Sequence, residues 1–386
     1  MKILHLSDLH IGKSLYQYGL IEDQKYIFNQ ILEDCRQEKP DAILLVGDIY
    51  DRPLPSGEAV ALFDFFLTEI ANLRIPLLSV SGNHDSGDRI GYASHILAQQ
   101  GLYFSGGWNK FETLELQQVT LKDQWGDVVF TLLPFFRPAD LRRFFKEGEA
   151  PKTYEAAIQA ILKRTKPKKN CRNVLLTHQF YTAAGIKPER AENETVSVGG
   201  LDNIDIACLK DYDYVALGHI HKPQQVGSKR ICYCGTPLKY SVSEATDVKN
   251  ALFVTLDQQG DLTFDPKTLK PLRDLRIIEG PLVELIRSEV LQAANCEDYV
   301  HVRLTDAEEI PNAMQILRDA YPNILDLRYI NQGGSDDVLL TDLDDFERQT
   351  TLNELFETFY MHRTGQPLDD CKKALIADFL EEGQIV

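Results

Sequence analysis

The sequence predicts an α/β fold: a two-sheet sandwich flanked by helices, followed by a small α/β capping domain and C-terminal helices. Three observations carry this. Short apolar runs alternate with amphipathic stretches of helical length over the first part of the chain. Further alternating runs follow between residues 223 and 265 and supply strands for a second sheet. Beyond Asp265 the order changes to a compact strand, helix, strand, helix, strand series.

At 386 residues the chain exceeds the usual size of one core, so one large domain plus a smaller one is expected. The hydrophobic share is 44% and the charged share 26%, ordinary for a globular protein, and no apolar run is long enough to cross a bilayer. The first apolar stretch, from Ile3 to Leu6, is too short for a secretory signal core, and seven cysteines spread from Cys35 to Cys371 suit a reducing compartment. A cytoplasmic location without membrane contact is the expectation.

Five apolar runs read as strands: Lys2 to Leu6, Ala42 to Val46, Leu77 to Val80, Val174 to Leu176 and Tyr214 to Leu217. Residues 22 to 38 and 58 to 73 read as helices between the first three. Ligands of such sheets gather beyond the carboxyl ends of the strands. Here those ends are Asp8-Leu9-His10, Gly47-Asp48 with Asp51, Gly82-Asn83-His84-Asp85, Thr177-His178 and Gly218-His219-Ile220-His221. Five of the nine histidines fall in these few positions. Imidazole, carboxylate and amide donors without thiolates suit Mn²⁺, Fe²⁺ or Zn²⁺ in a catalytic rather than a structural site. Gly47, Gly82 and Gly218 are read as the residues that permit the tight turns.

The later elements follow the same logic. Arg230 to Cys234 and Ala251 to Leu256 are assigned to the second sheet, completing a main domain over residues 1 to 270. Residues 275 to 330 form the capping domain, with strands at 276 to 278, 299 to 304 and 324 to 329 and helices at 281 to 291 and 308 to 321. Residues 331 to 345 read as an acidic linker, and 346 to 386 as a helical segment. Between Phe111 and Arg172 no motif stands out.

The net charge of −17 argues at first against a nucleic-acid ligand. Its distribution weakens that argument, because the last 56 residues hold 13 acidic and only 4 basic side chains. Elsewhere two basic clusters occur, Arg142-Arg143 with Lys146 and Lys163-Arg164 with its lysine-rich continuation. Both are DNA-contact candidates, and both also read as solvated helix ends. Cys232 and Cys234 have no second cysteine pair nearby, so a zinc site there is not expected.

The ordered set D-x-H, G-D-x-x-D, G-N-H-D, a lone H and G-H-x-H resembles the calcineurin-like metallophosphoesterase superfamily over roughly residues 1 to 270. Asp51-Arg52 resembles the protein-phosphatase version, but Pro53 departs from it, and Asp85 and the His219-x-His221 pair lean away as well. The run Ile3 to Gly12, Gly235-Thr236-Pro237-Leu238, and Phe356 to Tyr360 with Gly365 are similar to the SbcD family of nuclease subunits, nearly end to end.

That resemblance implies two divalent metal ions, most suitably Mn²⁺, with Asp8, His10, Asp48 and His221 on one and Asp48, Asn83, His178 and His219 on the other. His84 would stay free of metal, stabilise the transition state and protonate the leaving group; the alternative is a histidine that only orients Asn83. Asp51 and Asp85 are candidates to orient the imidazoles, and ordinary turn or capping roles fit them equally. The implied activity is a double-strand exonuclease and single-strand or hairpin endonuclease in DNA-end processing for repair, recombination and replication. The cap would help hold DNA over the metals. A small-molecule phosphodiesterase is the alternative, and a catalytically silent DNA-end scaffold is a further one. No P-loop occurs, so any ATP dependence is expected from a partner, an SbcC-like ATPase held by the C-terminal helices, on which Leu352, Leu355, Phe356, Phe359 and Tyr360 share one face. A homodimer is expected through the apolar stretch Phe63 to Leu67 and the nearby Ile96-Leu97.

Overall fold

The computed structural model describes residues 1–189 and 203–330, together with residues 360, 367, 369, 372 and 373. The expected linker at 331–345, and the apolar face of the C-terminal helices with its partner contact, lie outside the described residues.

Two compact units result, Met1–Leu275 and Arg276–Val386. In the first, the five expected strands form at Lys2–Leu6, Ala42–Val46, Leu77–Val80, Arg172–Thr177 and Tyr214–Leu217. They fall in two six-stranded sheets. The first sheet runs Leu262–Thr268, Asn250–Leu256, Lys2–Leu6, Ala42–Val46, Leu77–Val80, Leu102–Ser105. The second runs Gln224–Val226, Ser228–Tyr233, Tyr214–Leu217, Arg172–Thr177, Gly126–Leu133, Gln117–Asp123.

One assignment is corrected here. The strand around Ala251 to Leu256 belongs to the first sheet, antiparallel to Lys2–Leu6 with Leu4 opposite Phe253. Alternation announced a half-buried strand but carried no information on which neighbour it would find. The motif-bearing strands thus divide three to one sheet and two to the other.

Period-2 alternation explains the packing. Ala42, Leu44 and Val46 of the first sheet meet Phe130, Leu132, Val174, Leu176 and Ala216 of the second in one continuous core. The alternate residues Ile43 and Leu45 are buried too, which calls for helices over the outer face. Ile21–Glu38 and Gly57–Leu73 provide them, and the Phe28 and Phe66 rings lie 4.6 Å apart. The outer face of the second sheet, Leu175, Val215, Leu217 and Tyr233, packs with Ala157, Ile158 and Ile161 of helix Tyr154–Arg164. The stretch without a motif therefore contributes a hairpin, Gln117–Asp123 with Gly126–Leu133, a 3-10 turn at Pro138–Phe144 and this helix.

The dimer expectation rested on a helix too apolar for one sheet. Phe63 and Phe66 are in fact buried within this chain, which removes much of that motive, while Val60, Tyr92 and Ile96 remain exposed.

The second unit has strands Leu275–Gly280, Tyr299–Leu304 and Ile324–Tyr329 in one sheet, the last two parallel. The expected helix at 281 to 291 is two short ones, Leu282–Leu285 and Ser288–Gln292, and the other is Ala313–Ala320. Val300, Val302, Leu304, Leu317 and Ile324 form its core. Among the described residues no helix is long and apolar enough to cross a membrane.

Candidate metal centre

The five strand ends converge. The first loop runs beside the second, the amides of Asp8, His10 and Ile11 donating to the carbonyls of Gly47, Asp48 and Ile49 at 2.8 to 3.0 Å. The last loop of the second sheet leans across, His219 N–H donating to the Asp8 carboxylate at 3.0 Å, and Gly218 N–H to the Thr177 carbonyl at 3.2 Å ties it to its neighbour in the same sheet. Buried Gln24 closes the first loop from outside. Its amide donates to the His10 carbonyl at 2.8 Å, and its carbonyl accepts from Gly12 N–H at 3.0 Å.

Four residues at this rim are non-glycine residues of positive φ: Asp8 at 53°, His10 at 43°, Asp48 at 47° and His219 at 103°. Each such conformation costs about 1 to 3 kcal/mol and gathers where function requires it. The glycines act by a different route from the one expected. Only Gly47 has positive φ. At Gly82 and Gly218 a Cβ would overlap Asp48, the Val46 carbonyl or the His178 ring, so both are needed for close approach.

Among the described residues, three groups of potential metal ligands lie with their atoms within 4.8 Å of one another: Asp8, His10 and His221; Asp48, His178 and His219; and His10, Asp48 and His84. Asn83 joins the second, with Oδ1 2.9 Å from His219 Nδ1 and 3.2 Å from His178 Nε2. The third group draws His84 in beside the other two, although the family pattern leaves it free of metal.

The ring nitrogens left for a cation can be read from what the other nitrogen does. His178 Nδ1 meets the Val46 carbonyl at 2.7 Å, which assigns its Nε2, beside Asn83 and Asp48, to a cation, and His221 Nδ1 meets Glu244 at 3.3 Å, which assigns its Nε2 likewise. His10 is buried with neither ring nitrogen hydrogen-bonded. Such an orphaned pair normally costs a few kcal/mol, and a cation would satisfy it. The donor set fits divalent metals.

The electrostatics express the crowding. Burial works against charge on Asp48 and His178, but their mutual attraction outweighs it, pushing Asp48 below the usual carboxylate range and His178 up to about 9. Burial and then the His178 charge drive His219 down to about 3. Burial dominates at His10, which is also held low, and at Asp8, which is raised.

His84 is the open member, 36% exposed, its ring edge-on to His10 at 4.9 Å. Its amide donates to Asp48 Oδ1 at 2.8 Å and Nδ1 meets the Asp51 carbonyl at 3.0 Å. Asp51 faces His10 at 3.7 Å and takes Lys13 at 2.9 Å. Of the two roles left open for Asp85, the structure shows the turn role. Instead of orienting an imidazole, its carboxylate accepts from the amides of Ile49, Tyr50 and Gly82 and so ties the second loop to the third. Burial, with Asp48 nearby, raises it to about 6.

The basic candidates separate. Arg142 and Lys146 line a cavity of about 740 Å³ with Arg137, Lys152, Phe145 and Tyr154. The Arg137 guanidinium lies over the Phe135 ring at 5.7 Å, and that ring lies 6.5 Å from His178, so one wall residue of the cavity is linked to the rim through Phe135. Arg143 instead donates to the Asn109 carbonyl at 3.1 Å. Lys163 and Arg164 sit at the other end of helix Tyr154–Arg164, roughly 15 Å along it, and do not line the cavity.

Sequence reasoning missed the support behind His221. Glu244, 1% exposed, also pairs with Lys249 at 2.6 Å, and that pairing with the His221 contact outweighs burial to hold its carboxyl down at about 2. Only proximity in space could have revealed it, since Ser243-Glu244-Ala245 resembles any loop.

Known proteins align with this picture. A family model for calcineurin-like phosphoesterases matches residues 1–223, and one described as the type 5 capsule protein repressor C-terminal domain matches residues 271–364. A curated protein from Staphylococcus epidermidis, named as the D subunit of nuclease SbcCD, is 32% identical over 385 residues, covering 98% of each chain. Among solved structures, a dimetal phosphatase from Danio rerio is 12% identical at a TM-score of 0.41, covering 70% of this chain and 96% of that one. TT1561 of Thermus thermophilus is 14% identical at a TM-score of 0.38, covering 69% and 98%.

Proposed function

The chain belongs to the calcineurin-like phosphoesterase family and is a metal-dependent phosphodiester hydrolase, and from that premise we propose that it is a two-metal DNA nuclease acting at DNA ends with an SbcC-like ATPase. The observation that carries the reading is the single rim on which Asp8, His10, Asp48, Asn83, His178, His219 and His221 meet beside half-buried His84. The end-to-end similarity to a protein named as the D subunit of the nuclease SbcCD supports a nuclease activity exercised with a partner subunit.

Asp8, His10, Asp48 and His221 would hold one cation, and Asp48, Asn83, His178 and His219 the other, Mn²⁺ suiting this mixture of donors. When bound, such cations supply Lewis acidity that activates water and neutralises charge on the phosphate oxygens. The chain's own residues do the rest. The Asp51 carbonyl accepts from His84 Nδ1–H, so the proton available for transfer is the second one of the imidazolium form, carried on Nε2, the nitrogen not engaged with the backbone. As the bond from phosphorus to the leaving oxygen breaks and water's oxygen takes its place, that Nε2 proton passes to the leaving oxygen. Asp85 keeps the loop of Asn83 and His84 against that of Asp48.

Arg142 and Lys146, with Arg137 and Lys152, give the cavity a cationic lining suited to a phosphate backbone. The unit at residues 275–330 would help hold the DNA, and two copies would pair in the region of Phe63 to Leu67 and exposed Ile96, aligning two ends. The free state of the six described cysteines accords with a cytoplasmic site of action.

The test is incubation with Mn²⁺ and end-labelled duplex or hairpin DNA, against a chromogenic phosphodiester, with and without the ATPase. Cleavage of DNA that falls several-fold in the Arg142→Ala/Lys146→Ala variant is expected. Turnover of the small ester alone, with DNA untouched, would make the chain a small-molecule phosphodiesterase.

A further inference from the structure

Behind the rim, on the side away from solvent, lies a charged network with no part in the chemistry described so far. Glu244 and Lys249 are 1% and 5% exposed and pair at 2.6 Å. A buried ion pair of this kind is weak evidence for stability, since a hydrophobic pair of similar volume often does as well or better. Its partners indicate another role. Glu244 Oε1 accepts from His221 Nδ1–H at 3.3 Å, while Oε2 takes Lys249 and Thr236 Oγ1. The Lys249 ammonium also donates to the His221 carbonyl at 3.2 Å, which accepts from Thr236 N–H at 3.1 Å as well. One residue, His221, is therefore held at its ring by the carboxylate and at its backbone by the ammonium.

We propose that Glu244 and Lys249 are positioning residues that fix the tautomer and orientation of His221 and thereby set the affinity of the Asp8, His10 and His221 group for its cation. The inference rests on the reading of His221 as a ligand. With the Nδ1 proton committed to Glu244, the lone pair is on Nε2, and a carboxylate behind an imidazole makes that lone pair a better donor. Lys249 balances the carboxylate, so the rim, already holding Asp8 and Asp48, gains no further negative charge. Its bond to the His221 carbonyl keeps the backbone from turning about that ring.

The experiment is Mn²⁺ titration of the full chain by electron paramagnetic resonance, which separates single ions from a coupled pair, with circular dichroism to check folding. Glu244→Leu/Lys249→Met removes both charges at once, so neither member of the ion pair is left alone, while Tyr240 N–H and Thr236 Oγ1 lose an acceptor. It is expected to fold and to bind one of its two Mn²⁺ about 10- to 100-fold more weakly, with the coupled signal lost at stoichiometric metal. Glu244→Asp keeps the charge and shortens the reach, and the same weakening is expected there should the double variant fail to fold. Wild-type affinity for both ions in either folded variant overturns the proposal. His221→Ala is the control: two tightly held ions in that variant would show that the ligand assignment, not the positioning, had failed.

Discussion

The two halves of the rim are finished differently. Around Asp48, His178 and His219 the polar atoms answer one another: His178 has Val46 on one nitrogen and Asn83 and Asp48 on the other, and His219 has Asn83. Around Asp8, His10 and His221 the support lies behind the ligands, in Glu244 and Lys249, and His10 has no hydrogen bond at either nitrogen. One half is held together by its own ligands, and the other is propped from outside with an unmet demand at its centre. A cation is thus worth different things to the two halves, and each expectation below turns on that difference.

The largest effect is expected where the halves share a residue. Asp48→Asn keeps the shape but withdraws a charge that both groups use, so cleavage should fall beyond detection and metal content should drop at both positions. Elemental analysis checks it. A variant that still holds two ions per chain and cleaves normally would show that the halves do not share Asp48.

Next is His84, outside both halves on the proposed assignment. His84→Gln should keep both ions and DNA binding while kcat falls about 10²- to 10⁴-fold, the usual worth of a positioned proton donor. Loss of an ion instead would place His84 in the group it forms with His10 and Asp48.

The halves should also respond in opposite ways to losing an imidazole in metal-free protein. His178→Leu strips Asp48 of its partner and leaves the Val46 carbonyl unmet, a cost of about 3 to 5 kcal/mol by analogy with broken buried pairs. His10→Leu removes two buried nitrogens that had nothing to bond, so its cost should be within about 1 kcal/mol of zero, or favourable. Urea melts in the presence of a chelator measure both, and equal costs would erase the distinction.

Much of this rim was legible because ligand chemistry is local in sequence. Asp8-Leu9-His10, Gly82-Asn83-His84-Asp85 and Gly218-His219-Ile220-His221 each carry their residues within a few positions of a strand end, and the strand is legible from its own apolar run. What was not legible came from afar. Glu244 reaches His221 across 23 residues and Gln24 reaches His10 across 14, by contacts that no periodicity encodes. The strand Asn250–Leu256 was visible as a strand, but its pairing with the chain's first strand depends on which edge is free once the sandwich closes. Asp85 was visible as a carboxylate beside the site, yet whether it faces a ring or three amides is decided by the path of the second loop.

The last expected effect is a slope with pH, and it carries a change of sign. In metal-free protein His178 titrates near 9 instead of 6.5, because Asp48 and Asp8 outweigh burial. Between pH 6.5 and 9 the folded chain therefore binds more proton at this site than the unfolded chain does. The stabilisation is full below 6.5 and fades as pH rises through 9. His219, at about 3, acts in the other direction, its contribution weakening as pH falls below 6.5 because only the unfolded chain takes the proton. Melting temperature measured with a chelator should consequently decline from pH 6.5 to 9 in the wild type and decline less in His178→Gln. Saturating Mn²⁺ alters the argument, since a cation needs the Nε2 lone pair and competes with the proton for it, so metal binding strengthens as pH rises. The wild-type decline should then flatten or reverse, while the same slope with and without Mn²⁺ would mean that His178 keeps its proton and takes no part in holding a metal.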